Sequence, residues 1–143
     1  MLSAIAGSII AQKTKEPLHN NVSAAKLNNQ HKAVIQLTSE DTLVHKSLMK
    51  QLNNILTVAP DTKLEVVCHG PVINILMIDK TTAHDKIQQM KNKGVIFMAC
   101  ENTLKEKNIA KEKIISKAGF VPSAWVEILT KQEEGWSYIK AGF

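Results

Sequence analysis

Two short segments hold the residue types that could do chemistry: Cys100-Glu101-Asn102-Thr103 and Cys68-His69-Gly70. Cys100 ends the apolar run that starts at Val95 and stands immediately before a segment of helical pattern. Exposed amide N–H groups at a helix start favour nearby negative charge, and a thiolate there is the nucleophile needed to accept or pass sulfur. Glu101 opposes that charge by repulsion, whereas Asn102 and Thr103 offer hydrogen bonds to a sulfur or an anion. The competing reading of Cys100 is a small buried hydrophobe that finishes a strand. His69 suits an acid, a base or an anion contact near neutral pH, and equally a helix cap or a packed residue at a sheet edge. Its neighbour Cys68 points to the opposite face of the same strand and reads as core.

Other chemistries lack their residues. Two cysteines cannot staple a disulfide scaffold or fill a four-thiolate zinc site, and no ligand spacing joins Cys68, His69 and Cys100 as a metal site. G-x-G-x-x-G, G-x-x-x-x-G-K-[ST] and G-x-S-x-G are all missing, so no nucleotide cofactor and no serine nucleophile elbow is expected. All 18 basic residues are lysine, which removes the guanidinium fork that reads guanine edges and phosphates. The lysines behind the net charge of +5 are scattered among acids on helical faces, and six aromatics leave little for base stacking. Nucleic acid is therefore not an expected partner.

The elements that must position these residues follow from hydrophobic spacing. Ala33–Leu37, Leu64–Cys68, Val95–Cys100 and Gly119–Val121 read as strands, with Trp136–Lys140 as an alternating edge strand. Val95–Cys100 is continuously apolar, as expected of a central strand covered on both faces. Val44, Leu48, Leu52, Ile55 and Leu56 give residues 41–58 one buried helical stripe, capped from Thr38, Ser39 and Asp41. Residues 71–78 read as a short buried helix opened by Pro71. Thr82 and Asp85 start another helix, ended by Gly94. Pro122-Ser123 opens the last helix, which carries Trp125, Ile128 and Leu129 and ends at Gly135. Trp125 and Trp136 read as core or subunit contacts.

The predicted fold is α/β: a three-layer α/β/α sandwich of flavodoxin-like architecture with a mainly parallel five-stranded sheet. In such a sheet, ligands gather at the carboxyl ends of the strands. That places Ser39, His69, Gly70, Asn102 and Thr103 around Cys100 as candidate binding residues. Ser39, like Ser123, is as a residue type better explained as a helix cap.

The 143 residues, 44% hydrophobic and 22% charged, suit one globular domain, assigned to residues 32–143. Residues 1–31 stand apart as an apolar stretch, Met1–Ala11, and a polar linker. The stretch is too short to span a bilayer. It reads either as the remnant of an export signal or as a docking amphiphilic arm. The compartment follows that choice: cytoplasmic as written, periplasmic or exported if residues 1–11 are a truncated signal.

Residues 32–140 resemble the DsrE/DsrF-like family, which includes TusD-type sulfur-relay subunits. The likeness rests on KAVIQLTSED, LEVVCHGP, GVIFMACENT, GFVPSAWVEIL and EEGWSYIKAGF. It implies a three-layer α/β fold that assembles into dimers, trimers or hexamers. It also implies that the cysteine at position 100 carries a persulfide between sulfur donor and acceptor proteins. His69, Asn102 and Thr103 then become pocket residues by location.

Overall fold

A computed structural model describes residues 30–142 of the chain, together with Ser3 and Gly7. The export remnant or docking arm expected over residues 1–11, and the linker up to residue 29, otherwise lie outside the described residues.

Five strands form one sheet: β1 (Lys32–Leu37), β2 (Lys63–Cys68), β3 (Ile96–Cys100), β4 (Gly119–Val121) and β5 (Ser137–Ala141). Their order is β4-β3-β2-β1-β5, and every pairing is parallel. The expected "mainly parallel" sheet is thus wholly parallel. Each connection carries a helix or turn back along the sheet, because parallel neighbours need a crossover. The helices are α1 (Thr42–Val58), α2 (His84–Asn92), α3 (Glu101–Glu106) and α4 (Ala124–Glu133).

The larger core lies on the α1 and α2 face, where Ile35, Leu37, Leu64, Val66, Cys68 and Phe97 meet Leu52 and Ile87. On the other face α4 sets Ala124 and Ile128 against Val34, Val67, Cys100 and Val121. One helix does not cover five strands. Ile96, expected to be buried on a central strand, is 47% exposed on this face.

Two helices differ from expectation. Residues 70–76 form a 3₁₀ helix and not an α-helix. Val72, Ile73, Ile75 and Leu76 are buried in it, and side chains three apart eclipse in a 3₁₀ turn, so 72/75 and 73/76 become two inward rows. In α4 the inward positions are Ala124 and Ile128, which leaves Trp125, Val126 and Leu129 about 60% exposed. Trp125 is therefore not core within this chain. Trp136 is half-buried, beneath the Lys131 ammonium 4.7 Å from its ring centroid.

Candidate functional site

Because all five strands run the same way, the loops after β1, β2, β3 and β4 open at one edge of the sheet. Cys68 pairs with Ala99, so the next residues along, His69 just past β2 and Cys100 at the end of β3, are neighbours at adjacent strand ends. Both face α4. The first two residues of α4 meet them in turn. Ala124 N–H donates to Cys100 Sγ at 3.3 Å, and the Trp125 ring stands edge-on to the His69 imidazole, centroids 5.8 Å apart.

The sequence places Cys100 at the start of the helix that follows it. Cys100 does occupy the N-cap of α3, but its side chain makes no capping bond there. Strand alternation turns the sulfur toward the other face, and the amide that reaches it is the first of α4. Cys100 is only 4% exposed, packed by Val121 and Ala124. Glu101, expected to repel a thiolate, is instead paired with Lys111 at 2.6 Å.

His69 is the end of a hydrogen-bonded chain that crosses three strands. Tyr138 on β5 donates its hydroxyl to Gln36 Oε1 on β1. Gln36 Nε2 lies 2.8 Å from His69 Nε2. Partial burial holds the His69 pKa below its ordinary value. Gln36 is 5% exposed. Its one sequence signal is a polar residue within the apolar strand Ala33–Leu37, facing the same side as Val34. Tyr138 gave no such signal.

The remaining candidates divide. Gly70 N–H donates to Thr103 Oγ1 at 2.9 Å, which ties the turn after β2 to α3. The buried Thr103 hydroxyl is thereby committed to structure. Asn102 is exposed and contributes its backbone N–H to Pro122 O at 3.3 Å. Ser39 stands apart with α1: its hydroxyl accepts from Asp41 N–H and its carbonyl accepts from His45 Nε2. The α1 cap itself is Asp41, whose carboxylate accepts from Leu43 N–H at 2.8 Å. Ser123 holds the cap position of α4 without a side-chain bond.

Cys68 is fully buried among the α1-face residues, opposite to Cys100 across the sheet. Both cysteines are free thiols, and burial pushes the Cys68 pKa up to about 12. Among the described residues no three His, Cys, Asp or Glu side chains gather as a metal site requires. No described helix is long and apolar enough to cross a membrane. Open grooves of about 560 and 570 Å³ lie along α1, away from Cys100.

A second polar cluster sits deeper on the α4 face. Glu65 of β2 is 3% exposed, and its Oε2 is 3.4 Å from Lys131 Nζ. Lys131 also pairs with Glu127 at 3.5 Å and Glu134 at 3.8 Å. Burial first, and then the Glu127 carboxyl, raise the Glu65 pKa to about 7 against the opposing pull of Lys131. A glutamate inside the strand Lys63–Cys68 was the signal for this cluster.

Solved structures share the fold, three of them as follows. A protein of unknown function, MTH1491, from Methanobacterium thermoautotrophicum aligns with a TM-score of 0.74 at 24% identity, over 78% of this chain and 99% of that one. BT1422 from Bacteroides thetaiotaomicron, also of unknown function, aligns at 0.64 and 15% identity, over 84% and 99%. The ychN protein of E. coli aligns at 0.59 and 15% identity, over 78% and 99%. No curated protein matches the chain. The DsrE/DsrF-like family matches residues 11–141. That match runs through all five strands and includes Cys100 and His69, and the chain belongs to the DsrE/DsrF-like family.

Proposed function

We propose that the protein is a sulfur carrier that accepts sulfane sulfur on Cys100 as a persulfide and passes it to an acceptor thiol. The observation that carries the reading is the Ala124 N–H bond to Cys100 Sγ. It gives a strand-end sulfur a donor at the start of a ten-residue helix, where the helix dipole favours negative charge. Membership of a family that includes sulfur-relay proteins is consistent with it. In the transfer, a donor persulfide R–S–S⁻ meets the Cys100 thiol. The Cys100–S bond forms as the donor S–S bond breaks, and the thiol proton leaves on the departing R–SH. The acceptor thiol reverses these steps, with no net oxidation.

Self-association is part of the proposal, and the exposed apolar residues Trp125, Val126 and Leu129 beside the site support it. Cys100 is covered, so loading requires the start of α4 to yield. That burial favours a second reading, a non-catalytic binding or assembly module with a pocket for a small anion or a protein partner, in which Cys100 only packs.

Intact-mass measurement after incubation with a sulfane-sulfur donor decides between them. The carrier gains the mass of one sulfur, and Cys100→Ala gains none. Equal loading of the two, or no loading of the wild type, refutes the carrier. Cys100→Ser with partner binding intact and no wild-type loading establishes the module.

A further inference from the structure

We propose that Tyr138 and Gln36 are positioning residues that hold His69 as the neutral imidazole protonated on Nδ1, so that His69 offers the Cys100 site a hydrogen-bond donor and not a base.

The chain of contacts has a direction. A phenol is a good donor and a poor acceptor, so Tyr138 spends its proton on Gln36 Oε1. With its oxygen so engaged, the Gln36 amide presents N–H to His69 Nε2 at 2.8 Å. Gln36 is almost fully buried, so an amide end left facing the wrong partner would carry the cost of a desolvated, unpaired polar group. Nε2 must therefore accept, and a ring nitrogen that accepts carries no proton. An imidazolium, or the Nε2–H tautomer that free histidine prefers, would set N–H against N–H. Partial burial works the same way by disfavouring the charged ring. The tautomer of a histidine follows from the bond made by its other nitrogen, and here that bond is fixed two strands away.

The proton then sits on Nδ1, which has no hydrogen-bond partner among the described residues. His69 and Cys100 end adjacent strands on the α4 face, and Ala124 and Trp125 touch one each. The site thus contains two kinds of donor, the Ala124 amide and the imidazole Nδ1–H, and no free imidazole nitrogen to take the thiol proton. The ligand class that fits is an anion, and on the carrier reading it is the terminal sulfur of a persulfide. This last step rests on that reading; the tautomer does not.

The test is a long-range ¹⁵N–¹H correlation spectrum of the ¹⁵N-labelled full chain near pH 7.5, with the His69 ring identified by its absence from His69→Gln. The expected pattern is a pyrrole-type Nδ1 and an unprotonated, pyridine-type Nε2. Gln36→Glu puts a pure acceptor against Nε2 and should convert His69 to Nε2–H or to imidazolium. Tyr138→Phe frees the amide to flip and should yield a mixture. A protonated Nε2 in the wild type overturns the inference, as does an unchanged ring in folded Gln36→Glu. Failure of Cys100 to load sulfur while His69 shows the expected tautomer falls on the proposed function alone.

Discussion

Replacing Glu65 by glutamine should remove most of the pH dependence of stability on the α4 face. The Glu65 carboxyl lies between the sheet and α4, with Oε1 unpartnered among the described residues and Oε2 facing Lys131. Burial and the nearby Glu127 carboxyl raise its pKa from 4.5 to about 7. The folded protein therefore holds this proton more tightly than the unfolded chain does. Stability from it is complete below about pH 4.5 and is lost as pH rises through 7. At about 1.4 kcal/mol per pH unit the whole loss is about 3 kcal/mol, of which about 2 kcal/mol falls between pH 5 and pH 8. Glutamine mimics the protonated carboxyl and does not titrate. Urea unfolding of wild type and Glu65→Gln at pH 5 and pH 8 measures the difference. The variant should gain about 2 kcal/mol relative to wild type across that interval, or roughly 8 °C in Tm. Amide exchange should show the wild-type loss in α4, because Lys131 and Glu127, the side chains that face the Glu65 carboxyl, belong to that helix. Parallel stability curves for the two proteins would refute the reasoning, since they would mean that Lys131 keeps the carboxylate charged throughout.

The two cysteines should separate cleanly in reactivity. With its pKa near 12 and its side chain buried, Cys68 should resist iodoacetamide in the folded protein and react only after denaturation, as read by peptide mass. Cys68→Ala should cost about 1–2 kcal/mol through the small void it leaves, measured by urea unfolding, with sulfur loading retained. Asp41→Ala should cost about 1 kcal/mol in the same assay, because it removes the side-chain cap bond to Leu43 N–H at the start of the seventeen-residue α1.

The parallel sheet was legible because its cause is local. Short apolar runs alternate with helical stripes, and a strand followed by a helix returns to the same edge of the sheet. The identity of the turn after β2 was less legible. Pro71 starts any helix well, and only the three-residue spacing of Val72, Ile73, Ile75 and Leu76 separates a 3₁₀ helix from an α-helix. Burial on α4 was illegible for a different reason. Trp125, Val126, Ile128 and Leu129 contain enough apolar positions for more than one inward stripe. The choice of Ala124 and Ile128 depends on Cys100 and Val121 beneath them, which no window along α4 contains.

The site shows the same division. Cys100 and His69 stand out as candidates in the sequence because each sits at a strand end beside a turn, a property of its own segment. The residues that contact them are one or two strands away in space and far away in sequence. Ala124 is 24 residues beyond Cys100, and Tyr138 is 102 beyond Gln36. What remained visible was polarity in the wrong place. Gln36 and Glu65 each interrupt an otherwise apolar strand, and a buried polar group costs free energy unless something satisfies it. A buried polar side chain at each position therefore requires a partner. For Gln36 the partners are a phenol and an imidazole, one able to give a proton to its oxygen and one able to take a hydrogen bond from its nitrogen. For Glu65 they are an ammonium and a second carboxyl, a set that leaves one oxygen unmet until it is protonated. The first is closed and orients a ring at the edge of the sheet. The second is open by one hydrogen bond, and that is why its proton, and not the ring's, should set the stability of the face near neutral pH.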